Sequence, residues 1–136
     1  MNGWSASKRI VGDLEAAERF YAALGFKTLQ RIVGGEDDPR VWQEQIYMSL
    51  PADAPSHQLI LCRFLSYAPP KPVYPGEAWI CLTVPDVDAA CAAAERSGGS
   101  IFRPGQDRPE HGVRAAVIAD VDGHYLEIVG PISGAA

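Results

Sequence analysis

Glu127 poses the first chemical question in this chain. It stands between Leu126 and Ile128 in "DVDGHYLEIVG", residues 120 to 130, which reads as a turn followed by an apolar strand. An ionised carboxylate there needs a cation, a metal or a solvent opening to face, because burial without a partner is costly. Such a group can serve as hydrogen-bond acceptor, cation partner or general base. The three histidines, His57, His111 and His124, are the other residues suited to proton transfer or metal ligation. His57 and His124 occur at matched places in "SHQLIL" and "GHYLEI", a regularity that points to a turn or edge role. His111, in "RPEHGVR", could cover the mouth of a cavity. The three cysteines, Cys62, Cys81 and Cys91, are an odd number without a C-x-x-C spacing, so they read as buried thiols rather than a disulfide framework or zinc knuckle.

The elements that must position these groups are written twice. "VGDLEAAERFYAALGFKT", residues 11 to 28, aligns with "VPDVDAACAAAERSGGSI", residues 84 to 101, so that Asp13 meets Asp86, Ala16 and Ala17 meet Ala89 and Ala90, and Gly25 meets Gly98. Each copy has an N-cap Asp, an acidic residue in the first turn and a Gly after the last turn, which together describe a short helix. Leu14, Ala17, Phe20, Tyr21 and Leu24 form the apolar stripe of the first; Val87, Ala90, Cys91 and Ala94 form that of the second. In the second echo His57 meets His124, Leu59 meets Leu126 and Leu61 meets Ile128, so Ile60 occupies the position of Glu127.

Strands are expected at about 5 to 11, 27 to 33, 41 to 50, 57 to 64, 78 to 84, 100 to 103, 113 to 119 and 124 to 129. The result is an α+β chain of two βαβββ modules, about 4–65 and 78–131, forming one domain. Between them "SYAPPKPVYPGE", residues 66 to 77, reads as a proline-rich linker. "GGEDDP" and "PGQDRPEHG" read as polar loops that could rim a cavity.

Bulk composition narrows the function classes. At 136 residues, 47% hydrophobic and 21% charged, the chain suits a globular domain, and no segment approaches a membrane span. A formal charge of −5 argues against nucleic acid as a partner. The start, "MNGWSASKRIVGD", lacks the apolar core of a secretory signal, so a cytoplasmic protein is expected. No phosphate-binding glycine loop, dinucleotide fingerprint or G-x-S-x-G elbow is present.

Three motifs, "VGDLEAAERFYAALGF", "LTVPDVDAACAAAERSGG" and "DVDGHYLEIVGP", together resemble the vicinal oxygen chelate superfamily, which contains glyoxalase I, bleomycin and fosfomycin resistance proteins and extradiol dioxygenases. The resemblance covers nearly the whole chain. It implies curved sheets around a small-molecule cavity, a homodimer, and in metal-using relatives four metal ligands on the first and fourth strands of each module. Those positions fall here on Ala6, Ile60, Trp79 and Glu127, of which Glu127 alone can bind a metal, so no cofactor is expected. Lys8 shares the strand face of Ala6 and is a candidate charge partner for Glu127. Cys81 and Thr83 share the face of Trp79, and Gln58 and Cys62 that of Ile60, as candidate cavity lining. Trp79 would stack on an aromatic or cationic ligand.

The expected function is therefore binding of a small organic molecule, by sequestration or with metal-free chemistry in which Glu127 is the candidate catalytic group. The alternative is a metal-dependent glyoxalase-like lyase or isomerase, or a dioxygenase, with a divalent metal on displaced ligands drawn from Glu127, His57, His111, His124 and Glu77. A third class is a module that only pairs with another protein.

Overall fold

The two capping aspartates start the two helices. Asp13 Oδ1 accepts from the Ala16 amide at 3.0 Å, and Asp86 Oδ1 from the Ala89 amide at 3.0 Å. A cap of this kind is worth about 1 kcal/mol. Gly25 and Gly98 follow the helices with φ of 101° and 91°, a left-handed conformation that a Cβ would disfavour. The computed structural model describes residues 2–54, 56–68 and 75–134; residues 69–74 of the expected linker lie outside that set. The chain divides into two compact units, residues 1–71 and 72–136.

In the first unit β1 (Ala6–Ile10), α1 (Leu14–Ala23), β2 (Lys27–Gly34), β3 (Gln43–Ser49) and β4 (Gln58–Phe64) follow in order. The sheet order is β1-β4-β3-β2, with β1 parallel to β4 and the other pairs antiparallel. Leu14, Ala17, Phe20 and Tyr21 of α1 are buried, together with Ile46, Met48, Leu59 and Leu61 from alternate strand positions. This alternation puts one sheet face under the helix and leaves the other without one. Tyr21 packs edge-on against Phe20 and Phe26, with ring centroids 5.1 and 5.7 Å apart.

The second unit repeats the plan with β5 (Ile80–Thr83), α2 (Val87–Arg96), β6 (Ser100–Arg108), β7 (Val113–Ala119) and β8 (Tyr125–Gly130), in the order β5-β8-β7-β6. Here β5 is parallel to β8. Val87, Cys91 and Ala94 pack over Leu82, Ile118, Leu126 and Ile128, all buried. The expected α+β architecture of two βαβββ modules is the one observed.

One expectation needs correction. "PGQDR", read as loop, continues β6 as far as Arg108, and a short 3-10 turn, Pro109–His111, follows. Pro104 and Gly105 sit where the β6–β7 register shifts, between Arg103 and Gln106. A bulge tolerates both residue types inside a strand. Gly105 also meets a packing demand, since an added Cβ would lie 2.6 Å from Asp88 Oδ1.

Candidate functional site

Each unit presents a helix-free sheet face, and the candidate residues divide between the two. In the first unit Ala6, Lys8, Ile60, Cys62, Gln58 and Tyr47 share that face through the registers Lys8↔Ile60 and Tyr47↔Ile60. An open concavity of about 490 Å³ there is lined by Trp4, Ser5, Ala6, Tyr47, Ser56, Gln58 and Ile60. Lys8 is exposed, and its Nζ donates to Gln43 Oε1 at 3.0 Å. The same oxygen accepts from Cys62 Sγ at 2.9 Å, while Gln43 Nε2 donates to the Val41 carbonyl at 2.9 Å. Burial pushes the Cys62 thiol up, and the nearby Lys8 charge only partly offsets it, so this sulfur stays protonated. Gln43 is thus the hub of this face, a role the sequence did not signal because its contacts join three strands, β1, β3 and β4.

The second unit places Glu127 mid-face. The registers Cys81↔Glu127, Val117↔Glu127 and Arg103↔Val117 set four residues in one row across the sheet, Cys81, Glu127, Val117 and Arg103. Thr83 and Val129 form the next row. Glu127 is half-buried, and no hydrogen bond or ion pair is recorded for it among the described residues. Thr83 is exposed, and so is Cys81, which corrects its reading as a buried thiol: as the sheet's helix-free side faces outward here, only Cys62 and Cys91 are buried. Glu127 lines a concavity of about 520 Å³ with Arg103, Arg108, Glu110, His111, Val113, Ala115, Val117 and Val129.

Two residues before Glu127, Tyr125 anchors an aromatic cluster. Trp79 meets it edge-on at 5.2 Å, and Phe102 lies tilted against it at 4.8 Å. Trp79 is 46% and Phe102 62% exposed, so two large rings stand open to solvent beside the carboxylate. Phe102 owes its place to the register shift between Ile101 and Arg103, which turns it to the side of the sheet occupied by Tyr125. Arg103, Arg108 and Phe102 were absent from the sequence expectation, since all depend on the course of β6. Trp79 itself lies one residue before β5.

The histidines separate. His124 Nδ1 lies 3.0 Å from Glu77 Oε1, and this contact ties the start of β8 to the segment carrying Trp79. His57 is exposed with a left-handed φ of 53°, the turn role its spacing suggested. His111 is exposed on the 3-10 turn and lines the Glu127 concavity. Trp42 is exposed just before β3.

A metal at the positions implied by the resemblance does not fit these side chains. Ala6 and Ile60 carry no donor atom and the Trp79 indole donates only a hydrogen, which leaves Glu127 against a need for three or four ligands. Among the described residues no three His, Cys, Asp or Glu side chains are grouped to hold a metal.

Behind this face Arg114 bridges Asp88 of α2 (3.1 Å) and Asp107 of β6 (3.2 Å), and Asp107 also accepts the Ser133 amide at 3.0 Å. That backbone hydrogen bond, helped by the Arg114 guanidinium, holds the Asp107 carboxyl below its ordinary range.

Residues 7–128 match the model of the Glyoxalase/Bleomycin resistance protein/Dioxygenase superfamily. No curated protein matches significantly. Among solved structures, a glyoxalase family protein from Bacillus cereus is 23% identical, with a TM-score of 0.77 over 95% of this chain and 93% of that one. A trypanothione-dependent glyoxalase I from Leishmania major is 22% identical, with a TM-score of 0.73 over 96% and 87%. A glyoxylase/bleomycin resistance protein/dioxygenase domain from Frankia sp. is 20% identical, with a TM-score of 0.72 over 97% and 99%. At these identities the likeness is one of fold.

Proposed function

The chain belongs to the Glyoxalase/Bleomycin resistance protein/Dioxygenase superfamily, and from that premise we propose that it binds a small aromatic molecule on the helix-free face of its second unit. The observation that carries this reading is the open Trp79–Tyr125–Phe102 cluster beside a half-buried carboxylate with no partner among the described residues. Exposed rings offer a stacking surface, and such a contact adds about 0.5–1.5 kcal/mol beyond area burial. Glu127 accepts a hydrogen bond from the ligand, or takes its proton if the bound molecule reacts. Cys81 and Thr83 line the same face, whereas Lys8, Ile60 and Cys62, the other lining candidates, belong to the first unit's own helix-free face.

A metal-dependent lyase, isomerase or dioxygenase would need a donor set that Ala6, Ile60 and Trp79 do not supply. A homodimer and a cytoplasmic setting complete the proposal. No helix among the described residues is long and apolar enough to cross a membrane.

The test is thermal stabilisation by aromatic probes, because a ligand of the native state must raise the melting temperature. A neutral probe, 3-phenylpropanamide, raises it in the wild type and fails to do so in Trp79→Ala. An equal shift in the two proteins would remove Trp79 from the site. About one equivalent of metal per chain after purification without chelator, lost in Glu127→Gln, would replace this reading with the metal-dependent one.

A further inference from the structure

Resting on that reading of the second unit's face, we propose that the ligand is an aromatic carboxylate whose anionic group is held by Arg103 and Arg108. Four other arginines have carboxylate partners within their own unit: Arg31 with Glu18, Arg40 with Asp38, Arg63 with Glu44, and Arg114 with Asp88 and Asp107. Arg103 and Arg108 have none recorded, although Glu110 and Glu127 line the same concavity. Arg103 reaches only Gln106 Oε1, at 3.4 Å. Arg108 is half-buried with no recorded contact from its side chain among the described residues. Two guanidinium groups are therefore available on the face that also carries the exposed rings.

The lining carries both signs of charge, and it is the shape of the cationic groups that favours an anion. A guanidinium cannot give up its proton near neutral pH, so a cationic ligand would meet two permanent like charges. Glu110 and Glu127 oppose an anion in turn, so charge alone does not choose and the choice falls to hydrogen-bond geometry. Guanidinium groups also match the planar two-oxygen geometry of a carboxylate, with charge-assisted hydrogen bonds stronger than neutral ones.

Register sets the size of the molecule. Arg103 lies in the row of Glu127, and that row is two residues along β8 from Tyr125, a step of about 7 Å. A ring seated on Trp79 and Tyr125 would then present its carboxylate to Arg103 two or three bonds away, as 3-phenylpropionate does, and Arg108, opposite Val113 four residues along β7 from Val117, would reach back toward it.

Calorimetry on the full chain tests this with 3-phenylpropionate, 3-phenylpropanamide and phenyl phosphate, each at low and raised salt. The carboxylate is expected to bind about tenfold or more tighter than the amide, with the advantage shrinking as salt screens it. In the Arg103→Gln/Arg108→Gln protein that advantage falls below about threefold, while the amide binds as in the wild type. Both side chains lie at the surface of the concavity, so the double variant keeps its fold, which its melting temperature verifies. Equal binding of carboxylate and amide, an advantage that survives the double substitution, or tighter binding of phenyl phosphate would each overturn the carboxylate assignment while leaving the aromatic site standing. Failure of every probe to bind, the amide included, would overturn the site itself and this inference with it.

Discussion

The two helix-free faces share one topology and differ in how their polar groups are used. On the first, Gln43 gathers Lys8 and Cys62 around one oxygen and turns its own amide onto the Val41 carbonyl. The buried Gln45 Oε1, with no hydrogen-bond partner among the described residues, is the exception there. On the second, Glu127 and Arg108 have no partner among the described residues, and two aromatic rings stand open on the Glu127 side of that face. A duplicated scaffold can thus engage the polar groups of one copy internally and leave charges of the other open, and the difference lies in side chains rather than in backbone plan.

The helices diverge in the same way, and the largest predicted effect tests them. Phe20 and Tyr21 are matched across the repeat by Ala93 and Ala94, and α2 lies closer to its sheet than α1 does. Phe20→Ala is expected to cost about 3–5 kcal/mol by denaturant unfolding, because it empties a fully buried site. Ala94→Tyr, which imports the first unit's residue, costs about 1–3 kcal/mol by overpacking. A neutral Ala94→Tyr would mean that the second helix is not drawn down as described.

A smaller effect separates the faces directly. Gln43→Ala removes the acceptor of Lys8 and of the buried Cys62 thiol, and is expected to destabilise by about 0.5–1.5 kcal/mol. Glu127→Gln, with no internal partner to lose, should leave stability within about 0.5 kcal/mol of wild type and show itself only in ligand binding. Comparable losses from the two substitutions would erase the distinction.

The smallest effect concerns acid. Asp107 is depressed below its ordinary value of 3.8, so the stability it contributes is present above that value and is lost as pH falls through the folded one. Asp107→Asn should flatten the fall in melting temperature between about pH 5 and pH 3. The first unit has a counterpart in Glu18. Burial pushes its carboxyl up, but hydrogen bonds from Thr28 and Arg31 outweigh that and hold it below its ordinary value. An unchanged acid limb in Asp107→Asn would assign the whole of that slope to other carboxylates.

The parts of this architecture that were legible in the sequence are those written in local chemistry. Asp13 and Asp86 announce their helices, Gly25 and Gly98 end them, and alternation gives seven of the eight strands to within a few residues, β6 being the exception. The sides of Ala6, Ile60, Cys81 and Glu127 also follow from parity alone. Two things were not legible. Pro104 and Gly105 read as strand breakers, yet the register shift absorbs them and carries β6 to Arg108, so Arg108 lay hidden in an expected loop and Arg103 at the end of an expected short strand. Partnership across strands was equally invisible: parity brought Lys8 to the right face, but its hydrogen bond to Gln43 depends on β3 and its pairing with β4.

The register shifts have a consequence for solubility. They fall on β2, between Thr28 and Gln30, and on β6, the outermost antiparallel strand of each sheet. A foreign strand adding along either edge would find its donors and acceptors out of step, and on β6 it would also meet Pro104, which has no amide hydrogen to offer. On β2 the break falls beside the exposed Leu29, Ile32 and Val33. The apolar edge most apt to seed fibrillar aggregation is therefore the one whose hydrogen-bonding ladder is interrupted.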